Sequence, residues 1–281
     1  MRRILILGAS GYLGRISYKE LTPYFDLHGT YFSSKDYTEN QVMHYFDLEK
    51  DSVTDLLKSL SPTTVIYALA GPQRAQQQTL KILVEYCRAT GAHLILFSGV
   101  AVFDAVRSHA SYETDKQLPQ SIQGKHLSQL ERIVMDLPES LYSILRLPLL
   151  LGPSAPLIKQ LQAAHAHKAH FELHPNEIIG INTEQELARQ LHYIVNRKAT
   201  GVFHLSSTDL IHHSDLFIEL AQKLGLQPMA FSYNYSSNED EYRALLPKYN
   251  KLPAHYRSSV AQLINQVVLN EEISTLSPKN S

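Results

Sequence analysis

Cysteine is almost absent from this chain: Cys87 stands alone among 281 residues. An internal disulfide is therefore excluded, and the composition fits a reducing compartment, so a cytoplasmic location is expected. An excess of one charge is also missing. Lys and Arg number 26 against 27 Asp and Glu, a net charge of −1. With no basic block, neither nucleic acid nor an anionic membrane surface is expected as the main partner. No apolar run is long enough to cross a bilayer. The apolar stretch after Arg3 is too short for a signal-peptide core, and no such peptide is expected. Repeats and low-complexity tracts are lacking too. What is left is a mixed composition, 44% hydrophobic. It suffices for one large α/β domain or a main domain with a smaller lobe.

The most informative feature lies at the N-terminus. The apolar run Ile4–Leu7 ends at Gly8, and Gly11 and Gly14 follow at three-residue steps. This reads as a strand, a tight turn and a helix. Gly8 permits the turn, Gly11 lets backbone approach a pyrophosphate, and Gly14 lets the helix pack closely on the sheet. The helix N-terminus would then offer N–H groups and a positive dipole end to phosphates. The alternative is an ordinary glycine-rich turn between strand and helix.

Strand and helix patterns alternate from there. Strands are predicted at Leu27–Phe32, Thr64–Ala70, Leu94–Phe97 and Tyr142–Leu151, the last broken by Pro148. Helices are predicted at Asp51–Leu60, at Gln73–Thr90 with Gly91 as its stop, and at Ser121–Asp136. Alternation of this kind predicts an α/β fold, a Rossmann-like parallel sheet with helices on both faces. The rhythm loosens after Gly152. Helices are expected at Leu157–Lys168, Thr183–Arg197 and Ser214–Leu224, the last starting at a Ser cap, with a strand at Gly201–Leu205. Residues 1–152 are read as the dinucleotide-binding domain. Residues 153–281 are read as a smaller substrate lobe, partly packed back on the main sheet. Phe231–Tyr256 shows no clear period.

Further landmarks are Phe46-Asp47-Leu48, Ala68-Leu69-Ala70, Phe97-Ser98, Val102-Phe103-Asp104, Glu113-Thr114-Asp115, Pro119, Gly124 and Glu131. Gly180, Thr183, Glu186-Leu187-Ala188 and Gly201–Ser206 follow. Together with the glycine turn, these residues resemble the extended short-chain dehydrogenase/reductase family, relatives of the NAD-dependent epimerases. Within it they are most similar to the dTDP-4-dehydrorhamnose reductase branch. The resemblance covers about residues 1–225. It implies an NAD(P)-binding oxidoreductase of cytoplasmic type that acts on a nucleotide-linked keto sugar. Its ligand would be a nucleotide sugar or another small molecule. It assigns cofactor contacts to Gly8, Ser10, Gly11, Tyr12 and Leu13. Asp47 and Leu48 would lie at adenine, Ala68, Leu69 and Ala70 behind the cofactor, and Pro148 where backbone nears nicotinamide. The same family supplies a regulatory subunit to methionine adenosyltransferase, so a homodimer or a regulatory partner stays open.

Enzymes of this family use a Tyr as proton donor or acceptor, a Lys four residues on to lower its pKa, and a Ser or Thr to orient the carbonyl. An unperturbed Tyr titrates near 10, so a nearby cation is needed. Spacing from Pro119, Gly124 and Glu131 places Gln123 at the Tyr position and Leu127 at the Lys position. Counting from Val102-Phe103 places Gly99 at the Ser/Thr position. All three proton-handling side chains are missing, and no catalytic residue is assigned. Tyr112 and Lys116 form a Tyr-x-x-x-Lys string, but in a loop before the helix. His126 lies one position from the lost Lys, about 100° around the helix, and reads as a solvated side chain. Ser98 reads as a strand-end hydroxyl bonded to backbone.

The end of the second strand, His28 to Lys35, holds no carboxylate to take a ribose 2′-OH. Ser33, Ser34 and Lys35 suit a 2′-phosphate better, so NADP is expected, with NAD as the alternative. The competing reading is a polar turn without contact. His165, His167, His170 and His174 mix helix faces and read as a solvated helix end with no metal site. His212-His213 reads as loop. Arg146 is either a phosphate contact or half of an internal ion pair.

Overall fold

The computed structural model describes residues 2–33 and 40–275, with backbone alone for 268–275. In chain order the elements are β1 (Arg3–Leu7), α1 (Tyr12–Leu21), β2 (Asp26–Tyr31), β3 (Met43–Tyr45), α2 (Val53–Leu60), β4 (Thr64–Tyr67), α3 (Gln73–Thr90) and β5 (His93–Gly99). Then come α4 (Ile122–Val134), β6 (Tyr142–Leu147), β7 (Leu149–Leu151), α5 (Pro156–Ala166), β8 (Phe171–Leu173), β9 (Glu177–Ile179), β10 (Ile181–Thr183) and α6 (Glu184–Arg197). The last are β11 (Gly201–His204), β12 (Ile211–His212), α7 (His213–Lys223), β13 (Phe231–Tyr233), β14 (Glu241–Arg243) and α8 (Val260–Thr275).

These elements form two compact units. The first comprises Met1–Val102, Pro119–Arg146 and Ala188–Phe203; the second comprises Phe103–Leu118, Leu147–Leu187 and His204–Ser281. The first unit carries a seven-stranded sheet in the order β11-β6-β5-β4-β1-β2-β3. The β1–β2, β1–β4, β2–β3 and β4–β5 pairs are parallel. Helices flank this sheet, as the alternation predicted. Its central strands are near-continuous apolar runs because both faces are covered: Ile4 to Leu7, Val65, Ile66 and Leu94 are fully buried. Leu80, Leu83 and Val84 of α3 and Leu130 and Val134 of α4 join the same apolar cluster. The helix ends follow local chemistry. Ser52 caps α2 by accepting from Thr54 N–H, and Ser121 caps α4 by accepting from Gly124 N–H. The α3 helix stops at Gly91, whose φ of +73° suits glycine.

The second unit is built from short pairings: β7 with β10, β8 with β13, and β9 with both β12 and β14. Here the structure departs from several expectations. The α7 helix starts at His213, and no side chain caps it at His212, so the Ser214 cap is replaced by an uncapped start one residue earlier. His212 and His213 belong to strand and helix rather than loop. His213 is buried, and burial, with His174 close by, lowers its imidazole to about 4. The segment without period, Phe231–Tyr256, holds β13, β14 and a 3-10 turn at Ala254–Tyr256. Each is about three residues long, too short for periodicity to register. The α8 helix was not anticipated. No helix among the described residues is long and apolar enough to cross a membrane.

Candidate functional site

Within the first unit, β1 lies between β2 and β4, so the strand order reverses direction there. Such switch points open a crevice at the carboxyl ends of the strands. The glycine turn occupies that place. Gly8 has φ +84°, and a Cβ there would lie 2.5 Å from the Ala68 carbonyl oxygen. Side chains are thus excluded both by conformation and by the close pass of the β4 end. A Cβ at Gly14 would lie 2.0 Å from the Gly8 oxygen, so α1 packs directly on the turn. The turn is locked from two sides. Gly8 N–H donates to Thr30 Oγ1 at 2.8 Å, and Gly11 N–H donates to the Gly8 carbonyl at 2.9 Å. Gly11 is exposed, and no side chain caps α1. An uncapped, accessible N-terminus of a ten-residue helix is what a phosphate group fits.

Two more of the sequence candidates lie at this turn, and a third lies past the end of β4. Ala68 and Leu69 flank Gly8, and Leu48 lies against Gly71, 3.1 Å from where its Cβ would stand. Asp47 is buried, and its carboxylate serves its own loop: Oδ1 accepts from Glu49 N–H at 3.0 Å and Oδ2 pairs with Lys50 Nζ at 3.2 Å. The Glu49 amide, with Lys50, holds this carboxyl below the usual range. Ser33 sits exposed just past β2. Ser34 and Lys35 lie outside the described residues. Pro148 belongs to the second unit and is buried there.

On α4, capped by Ser121, Gln123 is exposed and Leu127 half-buried. Gly99 ends β5. None of the three carries an ionisable group. His126 is buried, against the solvated reading, because one step around the helix from Leu127 turns it inward. Its Nε2 lies 3.2 Å from Gln76 Oε1. Gln76 Nε2 donates to the Gly71 carbonyl at 2.7 Å, which fixes the amide so that Oε1 faces the imidazole. Nε2 of His126 therefore donates, and Nδ1, buried without a hydrogen-bond partner, is left unprotonated. Burial lowers its pKa, so the ring is neutral at pH 7.

Ser98 does not bond to backbone as expected; its hydroxyl donates to Glu131 Oε1. Glu131 in turn receives Arg146, with Nη2 to Oε2 at 2.8 Å and Nε to Oε1 at 3.1 Å. Both charged residues are almost wholly buried. Arg146 is therefore half of an internal pair, and the phosphate reading falls. Neither residue announced the other in sequence, since α4 and β6 meet only in the fold.

In the second unit Tyr112 and Lys116 lie on a non-helical turn closed by Tyr112 N–H to Asp115 Oδ2 at 2.8 Å. The cation over the Tyr112 ring is Lys248, 4.6 Å from its centroid. Glu113 accepts from the Lys248 and Tyr249 amides. His165 lies near the end of α5, and His174 packs on His213, with ring centroids 5.1 Å apart.

A parallel sheet ordered about a switch point, with a glycine turn at the end of its central strand, defines a doubly wound, Rossmann-like α/β protein. A family model described as the RmlD substrate binding domain matches residues 1–264. The chain belongs to this family, and the match runs past the expected limit near residue 225. Among solved structures, dTDP-4-dehydrorhamnose reductase from Clostridium acetobutylicum superposes with a TM-score of 0.74 at 18% identity, covering 96% of this chain and 99% of that one. The Bacillus anthracis reductase, solved in complex with NADP, gives 0.75 at 16% identity over 96% and 99%. WbmG of Bordetella bronchiseptica, in complex with NAD, gives 0.75 at 16% identity over 96% and 94%. At these identities the likeness establishes the fold. Methionine adenosyltransferase 2 subunit beta from Danio rerio is 28% identical over 171 residues; the match spans 54% of this chain and about half, 49%, of the relative.

Proposed function

We propose that this chain binds a nicotinamide dinucleotide, NADP with NAD accepted in its place, on a nucleotide-sugar reductase/epimerase scaffold that has lost its proton-transfer set. One observation carries the reading: the glycine turn keeps its packing and its exposed helix start, while Gly99, Gln123 and Leu127 offer no acid or base. The NADP and NAD complexes of structural neighbours support the ligand class. Dinucleotide binding is assigned to residues 1–152, through Gly8, Ser10, Gly11, Tyr12, Leu13, Asp47, Leu48, Ala68, Leu69 and Ala70. Ser33, Ser34 and Lys35 give the preference for a 2′-phosphate. Residues 153–281 take the nucleotide sugar or other small molecule.

When bound, nicotinamide supplies hydride transfer. This chain's residues hold and orient, which by itself lowers a barrier. General acid–base help, worth about 10² to 10⁴ in rate, is missing from the family's positions. His126 does not replace it in this arrangement, because its one N–H is committed to Gln76. A second reading, an inactive regulatory or interaction subunit, is favoured by the likeness to the methionine adenosyltransferase subunit beta.

Calorimetric titration with NADP and NAD, beside NADPH oxidation with a dTDP-4-keto sugar, tests both. Binding without turnover is expected. Turnover at an ordinary enzymatic rate sinks the lost-set reading, and failure to bind either dinucleotide sinks the ligand assignment.

A further inference from the structure

The amino ends of β4 and β5 carry a feature that dinucleotide binding leaves unexplained. Within the first unit, the chain leaves α2 at Leu60 to enter β4, leaves α3 at Thr90 to enter β5, and leaves α6 at Arg197. Residues just past these helix ends line an open cavity of about 780 Å³, enough for a small organic molecule. β4 has four residues and runs parallel to β1, so one strand length, about 13 Å, separates this cavity from the end where Ala68 meets Gly8. The cavity is therefore no part of the crevice at the glycine turn. Its wall combines apolar side chains with unpaired cations. Leu57, Tyr86 and Ala92 line it, as does Ile82, an aliphatic side chain of α3 left 38% exposed. Three hydroxyls of the wall have already spent their protons: Tyr86 donates to the Pro62 carbonyl, Thr63 to that of Arg3 and Thr90 to that of Tyr86. Glu85, on the same wall, pairs with Arg88. Lys58 and Lys198 also line the cavity, and their ammonium groups have no ion pair or hydrogen bond among the described residues.

We infer that this cavity is a second small-molecule site, which takes an aliphatic monocarboxylate with its chain on Leu57, Ile82 and Ala92 and its head at Lys58 and Lys198. Covering Ile82 and its neighbours draws in the apolar body. The two lysines supply the charge and the N–H donors that the hydroxyls no longer offer. The head carries a single charge, because the C-terminal ends of three helices bring partial negative charge to the same space. Being a strand length away, the site stands whether or not a dinucleotide binds at the glycine turn.

Octanoate is the probe, titrated by calorimetry into the full chain with octanol and acetate beside it. Octanoate should bind. Octanol, which lacks the charge, and acetate, which lacks the chain, should each bind about tenfold more weakly or worse. Lys58→Ala and Lys198→Ala should each weaken octanoate about threefold, as loss of an exposed ion pair does. Ile82→Glu, at an exposed helix position, should weaken it about tenfold or more, since a carboxylate then replaces the apolar surface. Saturating NADP should leave octanoate affinity unchanged. Absence of octanoate binding to wild type overturns the site, as does equal binding of octanol, displacement by NADP or full binding to Ile82→Glu. Both lysines also stand near helix C-terminal ends, which cations stabilise. If that is their whole role, the Lys58→Ala/Lys198→Ala double variant melts lower yet binds octanoate as wild type does, and the site is overturned. Thermal melts of each variant separate lost binding from unfolding.

Discussion

At the β1–α1 turn, Gly8, Gly11 and Gly14 are held in place by the Ala68 carbonyl, by Thr30 and by the start of α1. At the β5 end and on α4, the framework is as well built. Ser121 caps the helix, and Ser98, Glu131 and Arg146 tie β5, α4 and β6 together in the interior. The difference lies in what each framework presents. The turn presents an uncapped helix start; α4 presents an amide at Gln123 and an aliphatic chain at Leu127. The framework of α4 is thus kept whether or not its positions 123 and 127 carry an ionisable group, and in this chain they carry none.

The strongest way to break this contrast is to put the chemistry back. Gly99→Ser, Gln123→Tyr and Leu127→Lys together should raise keto-sugar reduction by about 10² to 10⁴, read as NADPH consumption, with dinucleotide affinity unchanged. No gain would mean that α4 no longer faces the reacting centre.

Removing one partner of the buried pair comes next. Glu131→Gln should cost about 3–5 kcal/mol, because Arg146 keeps its charge in the interior. Replacing both with Met should recover much of that loss. Urea midpoints decide it, and equal losses in single and double variants would show that the pair is not the cause.

Acid sharpens the picture on the β5 side. His93 Nε2 lies 2.7 Å from Ser143 Oγ, whose own proton goes to the Ala199 carbonyl, so the imidazole donates through Nε2. Burial, then the Lys198 charge, lowers its pKa to about 4. In the unfolded chain it titrates near 6.5. Between these values the unfolded state binds the extra proton, so stability falls as pH drops from about 6.5 to about 4, by a loss on the order of 2–3 kcal/mol. Denaturant midpoints at pH 7 and pH 5 should show the decline, and His93→Gln should flatten it.

The smallest effect separates two kinds of glycine. At Gly91 nothing lies within 4 Å of an added Cβ, and only the φ of +73° resists it. Gly91→Ala should cost about 1 kcal/mol in a thermal melt. Gly14→Ala, which drives a Cβ into the Gly8 carbonyl, should cost more and abolish dinucleotide binding.

Much of the first unit was legible in the sequence because its signals are local. Gln73–Thr90 and its stop at Gly91 were read to the residue, since helical period and a C-terminal glycine lie within one window. The parallel strands showed as short apolar runs for the same reason. Helix phase alone makes His126 look solvated, because it does not say which neighbour covers a face; α3 supplies Gln76, fifty residues away. Ser98, Glu131 and Arg146 are likewise joined only by the crossing of three elements. The tail defeated the pattern because β13 and β14 have three residues each, and their partners in β8 and β9 are remote in sequence.

The sheet of the first unit ends with β11, Gly201–His204, paired beside β6, Tyr142–Leu147. A chain made from its N-terminus therefore carries six strands of that sheet while β6 waits with an open edge. Open edges invite pairing with other chains. Shortening the protein before residue 201 would leave the fully buried strand β6 as the exposed edge for good, so aggregation, rather than a tidy nucleotide-binding fragment, is the fate expected of such truncations.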